Sequence, residues 1–257
     1  MNDMIKAEHY HIRHTSSLVI LIICSVLIAV MPLADATGYY DSFKDVSGTG
    51  YFGLYISGGV GITSVLLPFL MIFMTAYHED KWYMSGFVDF MDIYHMRKFK
   101  IIISRVFAVG VPFTSCVIFM MCVVLTIFTI KNGFTDLIVG NLFRGNVLIR
   151  ILILWITNLH LSTVVIIVAH LFSSAKKAAI FTSLFYFVRG FLNLFMGVPK
   201  LIQYFDPINL QKFAFEGGDN TQLFLWLVAS VICLTVDVAI LCLIYYLMKR
   251  LKYEKNI

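Results

Sequence analysis

VLIRILILWITNLHLSTVVIIVAHLF, residues 147–172, decides the fold. A helix rising about 1.5 Å per residue needs roughly 20 residues to cross a hydrocarbon layer of about 30 Å, and this stretch is long enough. Ile149 to Trp155 lacks the strict apolar and polar alternation of a spanning β-strand. In lipid each backbone amide must find its partner within its own segment, so the form expected is a helix.

Working outward, five more stretches share this character: Ser17 to Ala34, Gly53 to Tyr77, Ile103 to Ile130, Ala178 to Gly197 and Leu223 to Met248. With 60% apolar residues and a mean hydropathy of +0.85, the chain reads as an all-α integral membrane protein. The expectation is a single transmembrane domain over residues 1–257 with six spans, an amphipathic lead-in at 1–16, a cytoplasmic segment at 78–102 and an outer hairpin at 198–222. The first span follows basic residues and precedes Ala34-Asp35-Ala36, which resembles a signal cleavage site. Its apolar run is long for that role, and it reads as a retained span.

Basic residues set the orientation. With the N-terminus inside, thirteen lie in inner segments, among them Lys6, Arg13, Lys81, Arg97, Lys98, Lys100, Arg105, Lys176, Lys177 and the Lys249 to Lys255 tail; six lie outside and Arg189 falls within a span. The positive-inside rule places both termini in the cytoplasm. The net charge of +5 then needs no nucleic-acid partner. All five cysteines fall within spans and read as packing residues.

No non-membrane segment is long enough for a soluble catalytic domain, and there is no GxxxxGK[ST] phosphate loop. Neither HExxH nor a GxSx nucleophile with a well-placed histidine occurs, so no catalytic residue and no metal site is expected. His9, His11 and His14 lie close together, but one helix would not converge all three and no carboxylate or cysteine cluster completes a site.

Two polar segments stand out. In residues 1–16, Met1, Met4, Ile5 and Ile12 approximate one helical face while Asp3, Lys6, Arg13 and His14 lie elsewhere, which suits the cytoplasmic headgroup layer. In HEDKWYMSGFVDFMDIYHMRKFKIIISR, His78 to Arg105, the residues Phe87, Phe90, Met91 and Tyr94 recur at helical spacing, with Asp89, Asp92 and His95 on other faces. The acids Glu79, Asp80, Asp89 and Asp92 would not attract anionic headgroups and suit a protein partner; a loop helix resting on lipid is the alternative. Phe87, Asp89, Phe90, Met91, Asp92, Tyr94 and Arg97 are the expected docking residues.

On the outer side, Val198 to Gln222 is too apolar for a freely solvated loop, and Asp206 followed by Pro207 suits the start of a short helix. A hairpin resting on the membrane is expected there. Within the spans, a charge costs about 2.5 to 3.5 kcal/mol at mid-helix on insertion scales. His160, Arg189 and Asp237 fall at similar depths, about 16 to 18 Å from the inner ends of their spans. They form a candidate polar cluster, either structural or facing a pathway, and Arg189 is expected to pair with Asp237. Ser57 to Gly61 would let a neighbouring helix approach closely, while Pro68 and Pro112 are candidate kinks.

This layout resembles the membrane subunits of ABC exporters of the second type, the architecture of ABCG-like transporters. The local matches are the Glu79, Asp80, Gly86 pattern, the Arg97-Lys98 cluster, Ser104-Arg105 entering span three, and Asp206-Pro207-Ile208-Asn209 before the last span. The resemblance implies a non-enzymatic permease subunit that dimerises with an identical or similar chain and binds two cytoplasmic ATPases. The segment Gly86 to Lys98 would act as the coupling helix, ATP and magnesium would be held by the partner, and no cofactor by this chain. It further implies a multi-pass location in a bacterial plasma membrane. Peptide cargo of the antimicrobial or toxin kind is the leading expectation, with lipid or drug efflux or an ATP-independent carrier as alternatives.

Overall fold

The computed structural model describes residues 6, 10, 17–39, 66–81, 98–132, 147–172, 174–196, 203–215 and 220–254. They are almost wholly helical. In chain order the helices are α1 (Ser17–Tyr39), α2 (66–81), α3 (Lys98–Asn132), α4 (Val147–Phe172), α5 (Ala175–Met196), α6 (Pro207–Phe215) and α7 (Asn220–Glu254). Three of them, α3, α4 and α7, contain runs long and apolar enough to cross a membrane: Ile103–Met120, Ile149–Phe172 and Thr221–Ile244. Leu18–Val30 in α1 is a shorter apolar run.

α4 is the hub. It packs against α3, α5, α6 and α7, while α1 lies against α3. It contains neither glycine nor proline, and its many β-branched residues do not prevent a helix because an apolar setting leaves its amides no other partner. Hydroxyls in such a setting need acceptors too. Thr157 donates to Ile153 O, Thr163 to Leu159 O, Thr114 to Gly110 O, Thr75 to Met71 O and Ser230 to Trp226 O, each folding back on its own helix at 2.7–2.9 Å.

The helix starts follow local chemistry. Ser174 sits before α5, its Oγ accepting from Lys177 N at 3.4 Å and its carbonyl from Ala178 N at 3.1 Å, so α5 begins three residues earlier than the apolar run alone suggests. Asp206 caps α6: its Oδ1 accepts from Ile208 N at 3.0 Å and its carbonyl from Leu210 N at 2.9 Å. Pro207 fills the first helical position, where its missing N–H costs nothing.

One apolar cluster joins all seven helices, with Ile28, Met71, Phe113, Ile153, Tyr186, Leu210 and Trp226 each representing one of them. A smaller cluster of Val106, Leu159, Ile166 and Leu241 ties α3, α4 and α7. At Gly110 the backbones of α3 and α4 come close enough that an added Cβ would meet Leu159 Cδ2 at 2.6 Å. The outward faces are also apolar. On α5, Ile180, Phe181, Leu184 and Phe187 are exposed, and on α7 Phe224, Val231, Ile232 and Leu243. Apolar surface this continuous suits hydrocarbon rather than water.

Candidate functional site

Polar side chains run through the bundle as two clusters joined along α4. At the end where α2 finishes and α3 begins, Arg105 grips Glu79 with both arms of its guanidinium. Its Nε donates to Oε1 at 3.2 Å and its Nη2 to Oε2. Both side chains are almost completely buried, at 2% and 1% exposure, a position that such charges hold only when paired. His170, from the last turn of α4, lies within the field of both. Beside them Asp80 sits 4.0 Å from Lys176 at the start of α5, in a more solvated contact.

Further along, Thr75 of α2 donates to Ser162 Oγ at 3.3 Å. Asn158 of α4 is the centre of a chain of hydrogen bonds: its Nδ2 donates to Thr114 Oγ1 at 2.8 Å, and its Oδ1 accepts from Gln211 Nε2 at 2.6 Å. This links α3, α4 and α6 through side chains with essentially no exposure. One helical turn or less away, His160 Nδ1 touches Asp237 Oδ2 across the α4–α7 contact. Arg189 Nε lies 3.3 Å from Asp206 Oδ2, fastening the head of α6 to α5. Tyr186, buried beside them, senses the charges of Asp206, Asp237 and Arg189. Burial pushes the Asp206 carboxyl above the usual carboxylate range, against the pull of Arg189 and of the Ile208 and Asn209 amides.

Two expectations from the sequence are corrected. Arg189 is joined not to Asp237 but to Asp206, because the chain before α6 folds inward and brings a carboxylate that had been read only as an outer cap. Asp237 is joined to His160 instead. Glu79, read as an acid offered to a partner, is turned inward: the helix continues to residue 81, and Glu79 lands on the face that meets Arg105. Phe205, in the turn before Asp206, is exposed, while Leu210 and Gln211 in α6 are buried.

Phe87, Asp89, Phe90, Met91, Asp92, Tyr94 and Arg97 lie outside the described residues, as do most of the lead-in, the Ser57 to Gly61 stretch and residues 198–202. Among the described residues no group of three or more His, Cys, Asp or Glu side chains is placed to hold a metal ion. Sequence reasoning missed the Asn158, Thr114 and Gln211 chain. Buried amides within apolar runs were the available signal, and Asn158 inside α4 carried it.

Compared with models of known protein families, with curated proteins and with solved structures, the chain matches none.

Proposed function

We propose that this chain is the permease subunit of an ATP-driven exporter: a six-span, multi-pass protein of a bacterial plasma membrane with both termini in the cytoplasm. In this reading it pairs with a second permease subunit and two cytoplasmic ATPases, which supply ATP and magnesium. The single observation that carries the reading is the Glu79–Arg105 clamp. It joins two residues 26 positions apart, so the end of α2 is fastened to the start of α3. In this reading Phe87, Phe90, Met91 and Tyr94, between those helices in sequence, dock the ATPase, and a push from that partner reaches α2 and α3 together. The exposed apolar faces of α5 and α7 support residence in lipid, and α6 packs against α4 and α7.

The cargo favoured is an amphipathic or hydrophobic peptide of the antimicrobial or toxin class, because the chain is rich in Phe, Met, Leu and Ile with few intramembrane charges. Lipid or drug efflux uses the same chemistry. A carrier that works without ATP is the second reading, and the meeting of four ionisable groups at His160, Arg189, Asp206 and Asp237 favours it.

The test is capture of a P-loop ATPase by the tagged full chain from membranes of its own host. Replacing Phe90 and Tyr94 together with alanine should abolish that capture while the spans still fold. A double variant that assembles and transports at the wild-type rate shows that the docking surface lies elsewhere. Transport by the chain alone, with no ATP requirement, replaces the exporter with the carrier.

A further inference from the structure

We infer that the start of α5 and the outward face beyond it hold an anionic phospholipid, its phosphate at Lys176 and Lys177 and its acyl chains along Ile180, Phe181, Leu184, Val188 and Phe191. The sequence sets up a local conflict there. A helix N-terminus carries partial positive charge and favours acidic side chains. α5 instead opens with Ala175-Lys176-Lys177 and has no acid in its first turn. The Ser174 cap is an uncharged hydroxyl and leaves that charge standing. Asp80 comes no nearer to Lys176 than 4.0 Å, and Lys176 stays 81% exposed. Lys177 is exposed as well and has no ion pair among the described residues. An anion from outside the chain resolves the conflict.

Beyond the lysines the surface changes character within one turn. Ile180, Phe181, Leu184, Val188 and Phe191 are exposed, while Ala175, Ala178, Thr182 and Tyr186 are buried. Spacings of three and four residues put the two sets on opposite sides of one helix. The buried side meets α4, against which α5 chiefly packs. From Ile180 to Phe191 the strip runs about 16 Å, half of a hydrocarbon layer of about 30 Å. Phe172, exposed at the end of α4, flanks its head, with its ring centroid 5.2 Å from that of Phe181.

A pair of cations over an apolar strip one leaflet deep matches a phosphate together with its chains. A soluble anion matches only the first part and a neutral lipid only the second. Lysine meets a phosphate as a point charge, and its stem can lie along the strip while the ammonium stays at headgroup level. Basic residues beside a span draw anionic lipid electrostatically. Orientation of the chain asks only for lysines on one side of the membrane. It does not ask for them in the first turn of a helix, where they oppose the dipole.

The inference rests on residence in a membrane and on no ATPase or cargo, so its failure leaves the export reading as it was. The experiment is the thermal midpoint of the full chain in a neutral detergent with phosphatidylglycerol, with phosphatidylcholine of the same chains, or with glycerol phosphate, which has the charge without the chains. Phosphatidylglycerol should raise the midpoint by about 3 °C or more beyond the other two, and by less at high salt. Lys176→Gln/Lys177→Gln should lose that increment, while its lipid-free midpoint equals or exceeds that of the wild type because the dipole is no longer opposed. Lys249→Gln/Arg250→Gln, which removes two charges from the end of α7, should keep the increment. Equal increments from the two lipids, or from glycerol phosphate, overturn the proposal, as does an increment that survives in the α5 variant or is lost in the α7 variant. A disulfide between two copies of Leu184→Cys in membranes, absent from the wild type, overturns it too, because a second chain then covers the strip. If the α5 double variant fails to fold, Lys177→Gln decides: a reduced increment supports the site and a full one refutes it.

Discussion

Helices α4 and α7 look alike as sequence and behave differently as structure. Each carries an apolar window of 24 residues, yet 67% of the α4 window is buried and only 17% of the α7 window. Hydropathy therefore tells that a segment avoids water without telling what surrounds it. The polar residues tell more. Thr157, Asn158, His160, Ser162 and Thr163 of α4 are all buried and each meets a partner or its own backbone, which requires helices on several sides. α7 keeps one inward stripe, Leu223, Trp226, Ser230, Cys233, Asp237 and Leu241, flanked by the half-buried Leu227, Ala229, Leu234 and Cys242, and turns its other face outward. A helix whose polar side chains lie on several faces belongs in the middle of a bundle, and one with a single polar seam belongs at its edge.

The comparison breaks first if buried charges can be unpaired without penalty. Removing Glu79 by alanine substitution leaves Arg105 charged inside the bundle, and should cost about 3 to 5 kcal/mol; Arg105→Ala should cost a similar amount. The double variant should lose less than the sum of the two. Thermal midpoints of the four proteins give the cycle, and additive losses would mean that the two charges are solvated separately.

A substitution at the edge sharpens the same contrast from the other side. Ile232 is exposed on α7 near the middle of its apolar run. Ile232→Lys should cost about 2.5 to 3.5 kcal/mol if hydrocarbon surrounds that face, and within about 0.5 kcal/mol of nothing if water does. Glycosylation-based membrane insertion of the segment measures this directly. Efficient insertion of the lysine variant would take α7 out of the lipid-facing position.

These contrasts also mark how far the sequence could be read. Apolar length alone locates the three candidate spans in α3, α4 and α7, because the hydrocarbon layer sets a minimum length that neighbours do not alter. The run Val147 to Phe172 coincides with α4 for that reason. Ends are set by local chemistry: α5 starts after the Ser174 cap rather than at Ala178, and α7 continues beyond Met248 to Glu254 because a charged helix can extend into water. The depths of His160, Arg189 and Asp237 follow from counting residues. Their pairing does not, because it depends on each helix's rotation about its axis and on the inward fold that carries Asp206 to Arg189. Glu79 shows the same limit: one further helical turn and a rotation hide an acid that its charged neighbours made look exposed.

The finest test of the comparison lies within α4 itself, at Asn158. Its amide is the only link among the described residues that joins the side chains of Thr114 on α3 and Gln211 on α6. Leucine has nearly the same size, so Asn158→Leu leaves little cavity and isolates the hydrogen-bonding term. Thr114 keeps its bond to Gly110 O at 2.7 Å, so the loss falls on Gln211, whose buried Nε2 has no acceptor left. That should cost about 1 to 3 kcal/mol, less than unpairing a charge but well above an outward-facing exchange on α7 such as Val231→Ile. Adding Gln211→Leu should recover most of the loss, since two apolar groups of similar shape can replace a bonded polar pair almost neutrally. Thermal midpoints of the wild type, both single variants and the double decide it. If the double variant is as unstable as the sum of the singles, α4 is central through packing alone, and its polar residues are passengers rather than the feature that sets it apart from α7.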